Sequence, residues 1–213
     1  MPAPRLKKSC TQKARSRVLD TQRGVALKAD QQEHLRWAFE RASHGDTGAF
    51  AELVRDRQAM VFSICWHYLQ DRTMAEDVAQ EVFLELYQRL STLESCEHVT
   101  YWLRRVTVNR CIDHGRRKRS RRESGIDDVA EPAAEAIHAD PLLSRKLQQA
   151  LELLPEKQRM VVILRYQEGL DLAEIGDLMN MPLNTVKSTL HRTLEDLRKK
   201  MTRKLGGIRY AIF

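Results

Sequence analysis

No proline interrupts residues 5–131. Proline removes a backbone donor and collides with the preceding helical turn. This stretch is therefore open to long helices, and its apolar residues say where they run. Phe50, Leu53, Val54, Met60, Val61, Ile64, Cys65 and Tyr68 recur at steps of mostly three and four, the spacing of one helix face. Thr73 with Glu76 forms a capping-box pattern. It precedes a longer stripe of Ala75, Val78, Ala79, Val82, Phe83, Leu86, Tyr87 and Leu90. A polar stretch, 91–100, interrupts. The pattern then predicts a third helix over 101–119, in which Gly115 costs about 1 kcal/mol relative to alanine.

Residues 123–141 contain glycine, two prolines, several alanines and no basic residue, the composition of a linker. Beyond it Leu143, Leu147, Ala150, Leu151 and Leu154 share a face. Pro155 can open a helix and Gly169 can close it. Asp171 with Glu174 is a second capping box, leading into Leu172, Ile175, Leu178 and Met179. After a turn at Asn180-Met181-Pro182-Leu183, Asn184 is placed to cap a last helix. That helix carries Val186, Leu190, Leu194, Leu197 and Met201 on one face. There is no strand pattern and no internal repeat. The expected fold is all-α: two small helical domains, 33–122 and 142–204, joined by a flexible acidic linker, 123–141. A disordered basic tail, 1–32, precedes them and a tail at 205–213 follows.

Several functions are excluded at this stage. No apolar run approaches the roughly 20 residues that span a bilayer, and no apolar stretch follows the basic start as in a secretory signal. Cys10, Cys65, Cys96 and Cys111 lack the spacing of a disulfide framework and read as reduced cytoplasmic thiols. The P-loop, GxGxxG, HExxH and GxSxG motifs are absent, so no catalytic residue and no cofactor is expected. The pairs Cys65/His67, Cys96/His98 and Cys111/His114 stand two or three residues apart, unlike zinc ligands, and read as buried thiols beside partly exposed imidazoles. No metal is expected.

The formal net charge of +7 conceals alternating blocks. Residues 1–30 carry +6, 31–115 carry −4, 116–122 carry +6, 123–141 carry −6 and 142–213 carry +5. Basic blocks attract polyanions, and acidic ones repel or imitate them; a solvated helix end followed by an acidic linker is the plainer alternative. Segment 171–194 has the layout of a helix-turn-helix, with a second helix sized for a major groove. If its leucines face inward, Lys187, Ser188, His191 and Arg192 face out, able to donate to bases or phosphates. The layout also suits an ordinary helical hairpin, but the trailing cations Arg198, Lys199, Lys200, Arg203 and Lys204 favour nucleic acid. Tyr101 and Trp102 stand before Arg104, Arg105, Arg110 and the 116–122 block, a pairing of rings and cations suited to unpaired bases. Trp102 shares a stripe with Val106 and reads equally as core. Helix 73–91 leaves Glu76, Asp77, Gln80, Glu81 and Glu85 off its apolar face, either as a solvated surface or as a dock for a basic protein.

These segments together resemble one family. Residues 74–90 (MAEDVAQEVFLELYQRL) resemble the polymerase-binding helix of sigma-70 factors. Residues 101–119 (YWLRRVTVNRCIDHGRRKR) resemble the helix that reads and opens the minus-ten element. Residues 154–199 resemble sigma domain 4. A linker with no intervening domain is similar to the extracytoplasmic-function (ECF) subgroup. The resemblance implies a domain-2-like bundle followed by a domain-4-like helix-turn-helix, in a cytoplasmic, non-enzymatic promoter-specificity subunit.

It further implies that Asp77, Gln80 and Glu81 meet the β′ clamp of core RNA polymerase and that the last domain meets the β flap. Tyr101, Trp102, Arg105, Asn109, Asp113, Arg116, Arg117, Lys118 and Arg119 would serve minus-ten recognition and melting of promoter DNA. Lys187, Ser188, Thr189, His191 and Arg192 would serve the minus-thirty-five element. An anti-sigma factor is the implied regulator. Family members commonly carry arginine where Thr189 stands and an apolar residue where Gly115 stands, so the promoter helix is expected to bend or fray before 116–119. The alternative is a helix-turn-helix regulator that never joins polymerase. An adaptor without DNA affinity is a third.

Overall fold

The structure, a computed structural model, describes residues 32–123, 147 and 149–204. Every regular element among them is helical: α1 (32–43), α2 (Thr47–Leu69), α3 (Arg72–Arg89), a 3-10 turn at Leu90–Thr92, α4 (Cys96–Glu123), α5 (147 and 149–152), α6 (Glu156–Tyr166), α7 (Leu172–Met179) and α8 (Leu183–Lys204). The basic tail, Cys10, most of the acidic linker, Leu143 and the end at 205–213 lie outside the described residues, as do the side chains of Lys118 and Arg119.

Two compact units divide the chain, with the boundary inside α2 between Leu53 and Val54. In the first, α1 buries Leu35, Ala38, Phe39 and Ala42. Its Arg41 guanidinium donates to Asp46 Oδ2 at 2.6 Å. Asp46 Oδ1 in turn accepts the Ala49 amide at 3.0 Å and caps the start of α2.

In the second unit α2 contributes Val61, Ile64, Cys65 and Tyr68 to the core, while Val54 and Met60 are only half-buried. Helix α3 starts one residue before the expected capping box. Asp71 is its N-cap, accepting the Met74 amide at 3.0 Å; Thr73 lies inside the first turn. An aspartate two residues upstream takes over the capping, and a carboxylate at the positive helix end is favoured. Ala75, Val78, Ala79, Val82, Leu86 and Leu90 are buried as expected, but Phe83 is half-buried and Tyr87 is exposed.

Helix α4 begins five residues earlier than the pattern predicted. Ser95 Oγ accepts the His98 amide at 3.1 Å, so a serine cap hidden in the polar stretch starts it. It also continues through Gly115 to Glu123 without a break. A Cβ at position 115 would sit 2.8 Å from Tyr68 Oη and 3.0 Å from its Cε1. Glycine is there because the buried Tyr68 ring of α2 occupies the space, not because the helix frays. Thr107 and Thr193, both fully buried, donate to the carbonyls of Leu103 (2.6 Å) and Thr189 (2.7 Å), so neither hydroxyl needs a partner outside its own helix.

The C-terminal helices follow their punctuation. Pro155 is the N-cap of α6, and Gly169 stands beyond it at φ +68°. The Asp171/Glu174 box is complete: Asp171 Oδ1 accepts the amides of Ala173 and Glu174, and Glu174 accepts the amide of Asp171 at 2.7 Å. Asn184 is not a cap. Helix α8 starts at Leu183, and the Pro182 carbonyl accepts the Thr185 and Val186 amides. Ala150, Leu154, Leu197 and Met201 form a core cluster with Leu151 packed on it, while Leu147 is exposed.

Candidate nucleic-acid interface

The helix-turn-helix is built by close backbone approach. Asn180 ends α7 in the left-handed region at φ 52°, a conformation asparagine tolerates. The Met181 amide then donates to the Gly176 carbonyl at 2.8 Å. A Cβ on Gly176 would meet the Met181 carbonyl at 2.8 Å, so only glycine lets the turn close this tightly. Val186 is fully buried against this turn, Leu197 is buried, and Leu190 and Leu194 are half-buried. That orientation turns Lys187, Ser188, His191 and Arg192 outward on the first half of α8. The N-terminal half is the part of such a helix that reaches base edges. Ser188 Oγ donates to the Thr185 carbonyl, and His191 Nδ1 lies 3.9 Å from Glu195 Oε1. Thr189 is half-buried and sits behind this face rather than on it.

On α4 the outward residues are Tyr101, Arg105, Asn109, Asp113, Arg116 and Arg117, spaced by three and four along one side. Arg116 pairs with Asp113 at 3.8 Å. Trp102 is half-buried, between its two readings. The buried side of the same helix holds Val99, Leu103, Val108, Cys111 and Ile112. Arg110 does not join the outward row. Its guanidinium donates to Glu85 Oε2 of α3 at 2.9 Å and to Glu81 Oε2 at 3.4 Å. The sequence grouped Arg110 with the cations because neither carboxylate is near it in the chain.

Helix α3 presents Asp77, Gln80 and Glu81 at the surface beside Leu84, which is 61% exposed. Glu85 is half-buried under Arg110. This ridge is acidic and ends on an exposed apolar side chain, distinct in character from the two basic faces. The thiols of Cys65, Cys96 and Cys111 are buried. Cys111 Sγ lies 3.7 Å from Cys65 Sγ; that hydrogen bond, together with burial, pushes the Cys111 thiol well above its usual range. Burial likewise raises Cys96. Among the described residues no group of three or more His, Cys, Asp or Glu could hold a metal, and no helix is long and apolar enough to cross a membrane.

Comparison with known proteins decides what these surfaces belong to. Residues 53–121 match the family model for sigma-70 region 2, and residues 144–197 match that for sigma-70 region 4. The chain is 31% identical over 170 residues to the ECF RNA polymerase sigma factor SigW of Bacillus subtilis, covering 74% of this chain and 91% of that one. This chain is a sigma-70 family factor of the ECF group. The sigma-E factor of Streptomyces coelicolor is 33% identical over 164 residues, covering 74% of this chain and 88% of its own length. In fold, the sigma factor is similar to RpoE of Bartonella quintana, solved with the anti-sigma factor NepR, at a TM-score of 0.61 and 18% identity over 72% of this chain and 96% of that one. As an ECF sigma factor, the protein directs promoter-specific initiation by RNA polymerase. Region 2 contains α3 and α4, and region 4 ends in the helix-turn-helix, so the acidic ridge and both basic faces fall inside matched regions.

Proposed function

We propose that the three surfaces divide the work of initiation. Asp77, Gln80 and Glu81 dock α3 on the β′ clamp of core polymerase, and region 4 meets the β flap. Tyr101, Trp102, Arg105, Asn109, Asp113, Arg116 and Arg117, with Lys118 and Arg119 beyond them, read and hold the opened minus-ten strand, with rings stacking on bases and cations tracking phosphates. Lys187, Ser188, His191 and Arg192 enter the major groove at the minus-thirty-five element, with Thr189 behind them. The chain itself catalyses nothing, acts in the cytoplasm, and answers to an anti-sigma factor; the complex of RpoE with NepR supports that last assignment. The domains extend beyond the matched stretches 53–121 and 144–197 to 33–122 and 142–204, with an acidic passage at 123–141.

The observation that carries this reading is the separation of charge by helix. One face of α3 is acidic, with the exposed Leu84 at its C-terminal end, whereas α4 and α8 each turn a basic, hydrogen-bonding row outward. A regulator that never joined polymerase would have no use for the first. Core polymerase with this chain is expected to start transcripts at a matching promoter and core alone is not; no specific start in its presence would refute the reading.

Arg192→Ala is expected to weaken promoter binding by about 1–3 kcal/mol, the worth of a bidentate guanine contact. The loss should concentrate on sequences with that guanine, measured by titrating single-base promoter variants. An equal loss on every sequence would make Arg192 a phosphate contact.

A further inference from the structure

The corner of the helix-turn-helix leaves one polar side chain over. Asparagine near a helix start usually caps it, bending its side chain back onto the backbone of the first turn. At α8 that place is taken by Pro182. Its carbonyl accepts the Thr185 amide at 2.8 Å and the Val186 amide at 3.0 Å, and Leu183 is already helical. Asn184 therefore stands inside the first turn of α8 and is exposed. Among the described residues its side-chain amide makes no hydrogen bond.

The position of this amide on the helix gives it a use. Asn184 precedes Lys187 by three residues and Ser188 by four, so it extends the outward row of α8 to its N-terminal end. The fully buried Val186 between them, packed on the turn at Gly176, fixes that orientation. In a helix-turn-helix the N-terminal residues of the second helix are the ones that contact base edges.

The chemistry of a carboxamide then selects among bases. In the major groove adenine shows an acceptor at N7 beside a donor at N6, and a carboxamide carries the matching donor and acceptor. Guanine shows two acceptors and suits a guanidinium, whereas cytosine shows only a donor. Leu183, the adjoining residue, is apolar yet 42% exposed. An A·T pair also presents the thymine methyl group, which an apolar side chain can cover. Both first-turn side chains thus favour the same kind of base pair. Arg192 suits guanine instead, and it lies about 12 Å further along α8 at 1.5 Å per residue. Base pairs stack about 3.4 Å apart, so the two residues read different positions.

We propose that Asn184 is a specificity-determining residue of the minus-thirty-five contact. Its side-chain nitrogen donates to N7 of one adenine and its oxygen accepts from N6, with Leu183 against the thymine methyl of that pair or its neighbour. The proposal rests on the assignment of α8 to the minus-thirty-five element.

The test assembles the full chain with core polymerase and lets it select from a pool of duplexes randomised across both promoter elements. Wild type should enrich an upstream motif containing adenine. Asn184→Ala should lose the preference at one adenine by at least about fivefold, the low end for a bidentate contact, and leave the downstream motif unchanged. Asn184→Asp has nearly the same shape, and a carboxylate is favoured at a helix N-terminus. It has no N–H to donate to N7, so it should lose the same preference while melting no lower than wild type. Replacing that adenine by 7-deazaadenine, which has carbon in place of N7, should weaken wild-type binding at least about fivefold and Asn184→Ala no further. An unchanged motif for Asn184→Ala, a preference lost at a base other than adenine, or an equal loss on 7-deazaadenine in both chains would each overturn the role of Asn184. A wild-type chain that enriches a downstream motif but no upstream one would instead overturn the assignment of α8, and this role with it.

Discussion

Asp77→Arg is expected to weaken binding to core polymerase at least tenfold, about 1.4 kcal/mol, while leaving the fold intact. Asp77 is exposed on α3, one turn before Gln80 and Glu81. Reversing an exposed charge away from any cap or core changes stability by only about 0.5 kcal/mol. Placing a like charge against a basic partner costs several kcal/mol. The effect should therefore appear in the dissociation constant for core polymerase and in transcription, with no change in thermal unfolding. Binding of the full-length variant to minus-thirty-five duplex should be unaltered, because that face lies on α8. Equal polymerase binding by variant and wild type would remove α3 from the interface.

Gly115→Leu should unfold region 2 at markedly lower temperature. A leucine there would raise helix propensity by up to about 1 kcal/mol. It would also force a side chain into Tyr68, whose ring is fully buried. Overpacking of that kind costs about 1–3 kcal/mol, with the upper end expected for a branched side chain against an aromatic ring. For a chain of this size the melting temperature falls by roughly 2–4 °C per kcal/mol. Tyr68→Phe should partly rescue the smaller Gly115→Ala change, because the closest contact is to Oη. Alone it should be neutral or stabilising, since Oη is buried with no hydrogen-bond partner among the described residues. A Gly115→Leu chain as stable as wild type would show that the ring moves aside freely.

These two positions differ in how far the sequence exposed them. Asp77 was legible because a helix with apolar residues every three or four positions fixes which side is left over. The same logic placed Lys187, Ser188, His191 and Arg192, and a complete Asp171/Glu174 box marked the start of α7. Gly115 was legible only as an oddity, because its cause is a tyrosine on another helix, and no local pattern encodes a contact of that range. Cys65 with Cys111 and Arg110 with Glu85 were hidden for the same reason. The misplaced starts of α3, α4 and α8 have a different origin. Asp71, Ser95 and Pro182 sit two to six residues from the expected starts at Thr73, Tyr101 and Asn184, and several nearby residues could have served equally well. Thr189 is half-buried, and the buried Thr193 one turn on donates its hydroxyl to the Thr189 carbonyl, a contact that no apolar periodicity marks.

The position of Arg110 also bears on how the factor should respond to salt. Its guanidinium lies between Glu85 and Glu81, so its charge is met within the protein. Binding to DNA weakens with added salt in proportion to the number of phosphates whose counterions are released. Arg110 displaces none. Counting every cation on α4 would therefore overstate the steepness of that dependence by one, and replacing Arg110 should leave the slope where it was.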